Sequence, residues 1–109
     1  MRRIRTYGGY FESFMETLTK EQQQKIKYGL LLLKTTDRLP SKFVKHIIDG
    51  IYELRTSFEG NIFRTFFIFD DGNVVVLLNG FHKKTQKTTR REIEKAEQIK
   101  KAYYARTRE

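Results

Sequence analysis

The 109 residues carry 22 Lys+Arg against 13 Asp+Glu, a net charge of +9, and 39% of them are hydrophobic. That is enough for a single domain over 1–109 with one core needing no metal or disulfide. The lack of cysteine excludes disulfide scaffolds, thiolate zinc sites and cysteine nucleophiles. No apolar run approaches the roughly 20 residues that cross a bilayer, and the start, MRRIRTYGG, lacks a signal peptide's apolar core, so a cytoplasmic protein without membrane attachment is expected.

Along the chain, Arg2 to Tyr7 alternates charged with apolar side chains, which suits a short strand with one buried face. Gly8-Gly9 breaks it. Phe11, Phe14, Met15 and Leu18 then follow helical spacing and predict a core-facing stripe. Thr19-Lys20-Glu21-Gln22 has the form of a capping box, which predicts a second helix from about Lys20 to Thr35, antiparallel to the first, with Ile26, Leu30, Leu31 and Leu33 inward. Gly29 would let a neighbouring element come close. After a loop at Asp37 to Ser41, one or two helical turns are expected over Ser41 to Asp49, with Phe43, Val44, Ile47 and Ile48 inward and Lys42, Lys45 and His46 outward. His46 has no second ligand at metal spacing and reads as a surface histidine.

The second half reads as a strand meander. Ile51 to Phe58, Asn61 to Asp70 and Asn73 to Phe81 are β-rich and separated by Glu59-Gly60 and Asp71-Gly72, and Asp-Gly is a strong hairpin signal. The run Val74 to Leu78 predicts a central strand buried on both faces. The phenylalanines at 63, 66, 67 and 69 read as sheet core. Arg64 shares its strand face with Phe66 and Ile68, so either Glu53 pairs it or the face opens to an anion. A second capping box, Thr89-Arg90-Arg91-Glu92, predicts a last helix over about 89–104, followed by a fraying tail from Ala105 to Glu109. The expected class is α+β, in the order β-α-α-(short helix)-β-β-β-α, with helices packed on an antiparallel sheet.

Charge is concentrated at the end of this arrangement. Residues 83–109 hold ten basic and four acidic residues, which is six of the nine net positive charges. From His82 to Arg91 the chain reads HKKTQKTTRR, donors and cations without an acid, where a nucleic acid, an acidic membrane surface or an acidic protein fits.

Ile51-Tyr52-Glu53-Leu54-Arg55, Phe63-Arg64 before an aromatic strand, and Gly80-Phe81-His82-Lys83-Lys84-Thr85-Gln86-Lys87-Thr88 before a helix resemble the phage-derived HigB-like branch of the RelE/ParE toxins. The match covers roughly residues 50–102. The resemblance implies a RelE/ParE-like fold and a type II toxin that cleaves mRNA on the ribosome, restrained by a helix-turn-helix, HigA-like antitoxin and monomeric within that complex. It implies no metal or other cofactor. Two departures are visible: Thr89 stands where the family commonly has proline, and a tyrosine used by some relatives near the start of the last helix is absent.

RNA cleavage without a metal needs a base for the 2′-hydroxyl, positive charge on the transition state and an acid for the departing 5′-oxygen. Arg55 and Arg64 are assigned to phosphate and transition-state charge, since arginine stays protonated and grips two oxygens. Lys84 is assigned to proton transfer, as an ammonium crowded by cations gives up its proton more easily. Lys83 and Lys87 are assigned to the RNA backbone, with His82, Arg90 and Arg91 as further RNA contacts, although strand alternation turns His82 away from Lys83. Two alternatives stand beside the endonuclease: a ParE-like gyrase poison and a non-enzymatic nucleic-acid-binding domain.

Overall fold

The computed structural model describes residues 1–107 and orders them as β1 (Arg3–Thr6), α1 (Tyr10–Glu16), α2 (Lys20–Thr35), β2 (Val44–Ile48), β3 (Ile51–Phe58), β4 (Asn61–Asp70), β5 (Val74–His82) and α3 (Gln86–Thr107). The strands form one sheet in the order β1-β5-β4-β3-β2. The result is a mixed α+β domain of five strands and three helices, compatible with a RelE-like fold.

Alternation along the strands divides the core in two. Leu54, Phe63, Phe67, Val75 and Leu77 meet Phe11, Phe14 and Met15 of α1 and Ile26 and Leu33 of α2. Ile51, Phe66, Ile68, Val76, Leu78 and Phe81 meet Ala96, Ile99 and Tyr103 of α3. Val74 to Leu78 are all buried, as a strand covered on both faces requires.

The capping box at Thr19 forms as expected. The Gln22 amide donates to Thr19 Oγ1 at 3.2 Å and the Thr19 amide to Gln22 Oε1 at 3.0 Å. At its other end, α2 is closed from a distance: the Arg2 guanidinium donates to the carbonyls of Leu33, Thr36 and Asp37 at 2.6–2.7 Å. Those carbonyls would otherwise lack partners at a helix terminus. Leu31, expected inward, is 53% exposed.

Three expectations are corrected. Residues 44–48 form a strand antiparallel to β3, not helical turns. Asp49 and Gly50 both adopt positive φ, 45° and 78°, which makes a two-residue hairpin that folds this segment back on β3. Phe43 and Ile48 are accordingly 38% and 39% exposed. The sheet is mixed, because β1 lies parallel to β5 with Arg3 opposite Val74. The last helix begins at Gln86 instead of 89, because Thr85 supplies an earlier cap: its Oγ1 accepts the Thr88 amide at 3.1 Å. Thr89 is then inside the helix, with its hydroxyl on the Thr85 carbonyl. Of the expected fraying tail, Ala105 to Thr107 are helical, and Arg108 and Glu109 lie outside the described residues.

Near the end of β5 the sheet touches α1 so closely that only glycine fits. A Cβ on Gly80 would overlap the Phe14 ring. Phe14 belongs to the core and has little room to yield. Gly80→Ala is expected to cost about 1–3 kcal/mol by overpacking, read as a lower midpoint in chemical denaturation.

Candidate nucleic-acid interface

The strand register sets one feature of the α3 side of the sheet apart. Arg55 on β3 lies directly opposite Arg64 on β4. The Arg55 amide donates away from β4, to the Phe43 carbonyl at 2.8 Å. The two arginines therefore form a non-hydrogen-bonded pair, the closer kind, with Cα atoms about 4.5 Å apart. Like charges in that position destabilise a sheet.

One carboxylate offsets one of the two charges. Arg64 Nη1 donates to Glu53 Oε1 at 2.8 Å, in an ion pair whose side chains are 14% and 4% exposed. The chain thus pairs Glu53 with Arg64 across the strands, not with Arg55 on its own strand. The pairing does not consume Arg64, since a guanidinium has five N–H donors. Its Nε is buried without a hydrogen-bond partner. That atom is closed to an outside anion, so Glu53 holds the fork in place and only the part of it left at the surface, on a side chain 14% exposed, faces a second anion. Arg55 is exposed and has no carboxylate partner among the described residues.

The third strand adds its cations at the same end. Phe81 on β5 is opposite Arg64, and the Lys83 amide donates to the Ile62 carbonyl at 3.0 Å, extending the pairing one residue past the strand. Alternation puts Phe81 and Lys83 on the Arg64 face. His82 falls on the other face, its ring 4.9 Å from that of Phe63. Lys84 and Lys87 are exposed around the start of α3, and Arg90 and Arg91 are exposed just beyond. The fold thus juxtaposes Arg55 and Arg64, brings Lys83 to their end of the sheet, leaves Lys84 in the β5–α3 connection and sends His82 to the α1/α2 side.

Asn79, which sequence reasoning passed over, anchors α3 beside these residues. Between Thr65 opposite Gly80 and Phe67 opposite Leu77, β5 has one residue more than β4, a bulge at Leu78-Asn79. Asn79 is 1% exposed, and its amide donates to the Glu92 carbonyl at 3.1 Å and to Glu92 Oε1 at 3.0 Å. Glu92 holds the strand from within α3 in place of the helix-capping role expected of it. The available signal was a polar residue closing a run of five aliphatics, since a buried amide needs partners.

The far end of α3 is pinned by Tyr103, whose hydroxyl donates to Asp70 Oδ2 at 2.5 Å and accepts from Arg5 at 3.4 Å. Burial pushes the Tyr103 phenol above its ordinary value, and the bond to the Asp70 carboxylate adds to the rise. A raised folded-state value favours folding below the ordinary tyrosine range, and that contribution is lost as pH climbs through the raised value. This contact sets the helix and contributes no group to the arginine pair.

An arrangement of two close arginines, one braced by a buried carboxylate and one free, with lysines at the same strand end, is suited to gripping a phosphate. No curated protein matches the chain. Residues 13–101 match the family described as Phage derived protein Gp49-like (DUF891), which spans all three strands bearing these cations and most of α3. The chain belongs to this phage-derived family, a toxin-like family related to the RelE/HigB-type toxins.

Proposed function

We propose that this protein is the toxin of a type II toxin–antitoxin pair and acts as an endoribonuclease on mRNA held by the ribosome. The Arg55–Arg64 juxtaposition carries the reading. A fold gains nothing from placing two guanidinium groups opposite each other with a carboxylate on only one of them, whereas a phosphorane-like transition state needs that charge. In the proposed reaction the 2′-hydroxyl gives up its proton as its oxygen bonds to the adjacent phosphorus, and the bond to the 5′-oxygen breaks as that oxygen takes up a proton, leaving a 2′,3′-cyclic phosphate and a 5′-hydroxyl. Arg64, oriented by Glu53, and Arg55 hold the non-bridging oxygens. Lys84 is the proposed proton-transfer group, and Lys83 and Lys87, with Arg90 and Arg91, hold the flanking backbone. A helix-turn-helix antitoxin is the proposed restraint.

Such a site has few means of positioning a flexible RNA by itself, and positioning accounts for much of the rate. Ribosome-bound message is therefore expected to be cut far faster than naked message. The test is to induce the protein in growing cells and map mRNA 5′ ends, then repeat the mapping with purified ribosomes. Cuts confined to translated message support the reading. Intact message with arrested DNA replication would instead point to a gyrase poison, and equal cutting of naked and translated message would contradict ribosome dependence.

A further inference from the structure

We infer that the groove between α2 and the uncovered end of β3 is a subsite for one unpaired nucleobase of the RNA strand gripped by Arg55, an inference that rests on RNA being the ligand of the arginine pair. β2 stops at Val44, opposite Leu54. Beyond it only the Phe43 carbonyl reaches β3, at the Arg55 amide. The outward backbone of Ser57, two residues on, has no neighbouring strand and keeps its N–H and C=O for other partners. Beside it lies a cavity of about 290 Å³ against α2. A second, of about 300 Å³, shares Phe43, Arg55 and Ser57 with the first and is also lined by Lys42. Each is at the small end of ligand sites, which span about 300–1,000 Å³.

The lining specifies the chemistry. Tyr28 and Phe43 present rings that are 56% and 38% exposed, large aromatic surfaces for which the core supplies no cover. Lys25, Lys42 and Arg55 line the two cavities, and no carboxylate does. Aromatic faces rimmed by cations accept a stacked base with its phosphates on the rim, and free backbone groups can bond the base edge. A docked helix would need anchors spread over two turns, more than a cavity of this size offers. Arg55 lines both cavities at the edge of the sheet, and its side chain lies on the α3 face beside Arg64, so a strand seated against α2 reaches the arginine pair by passing around the uncovered edge of β3.

The test is fluorescence anisotropy with a short single-stranded RNA and with an abasic ribose-phosphate oligomer of the same length, on the wild type, Tyr28→Ala and Phe43→Ala. Both rings are at the surface, and thermal unfolding checks that the variants fold. The wild type is expected to bind the base-bearing oligomer about tenfold more tightly than the abasic one. Each variant is expected to lose most of that preference while keeping its affinity for the abasic oligomer. An unchanged preference in both variants overturns the subsite. So does a Glu/Leu-rich helical peptide whose binding, in place of the base preference, disappears in Tyr28→Ala. Cleavage of translated message with an unchanged base preference defeats the subsite alone. Base-dependent binding that responds to Tyr28→Ala without any cleavage supports the subsite and defeats the endonuclease reading.

Discussion

Arg64→Ala is expected to lower stability by about 3 kcal/mol, because it leaves the Glu53 carboxylate, 4% exposed, without its counter-charge. For a domain of this size that corresponds to a fall in Tm on the order of 10–20 °C, a large part of the 5–15 kcal/mol that such domains typically have. The cause is separable from simple loss of packing. Adding Glu53→Leu to Arg64→Ala removes the stranded charge and is expected to recover part of the loss, since the two residues share one interaction. Glu53→Gln keeps an acceptor near Arg64 and is expected to cost less than Arg64→Ala. Thermal unfolding of the four proteins checks this ordering. A double variant no more stable than Arg64→Ala would mean that the ion pair is not the source.

Arg55→Ala is expected to do the opposite. Its side chain is exposed, it has no carboxylate partner among the described residues, and it faces a like charge, so its removal should leave stability within about 0.5 kcal/mol of the wild type or raise it slightly. The loss is expected in function. Removing one charge contact made in the transition state costs about 3 kcal/mol, or roughly a hundredfold in rate. Arg55→Lys keeps the charge but not the two-pronged grip and is expected to recover only part of it. Growth inhibition together with thermal unfolding reads both quantities. A folded Arg55→Ala protein as toxic as the wild type would remove Arg55 from the site.

The contrast between these arginines shows how far the sequence could be read. Alternation was enough to put Arg64 on an apolar face and to demand a partner or an anion for it, because the side-chain period of a strand is two. Choosing between those outcomes required the side-chain geometry, since the register sets Glu53 opposite Phe66 and the ion pair with Arg64 runs diagonally across the strands. Of the two readings set against each other in the sequence, the structure shows the pairing with Glu53, and the anion belongs to the proposed function. The helical reading of residues 41–49 failed because Phe43, Val44, Ile47 and Ile48 have a spacing that a short apolar segment satisfies in either form. Asp49-Gly50, the same pair that marks the turn at Asp71-Gly72, was the stronger signal. The parallel pairing of β1 with β5 joins residues about 70 positions apart, and no local pattern encodes it. The misplaced start of α3 came from two threonine caps four residues apart, of which the earlier one wins. Lys84 is placed by the β5–α3 connection, whose course follows from the bulge at Asn79 and its hold on Glu92, features visible only once the strands are paired.

The most direct measurement is mapping of mRNA 5′ ends on purified translating ribosomes, with wild type and Arg55→Ala side by side at a temperature where both are folded. The proposed function predicts discrete cuts by the wild type within translated message and about a hundredfold slower cutting by the variant. Uncut message with the wild type, or the same cuts at the same rate with Arg55→Ala, would contradict it.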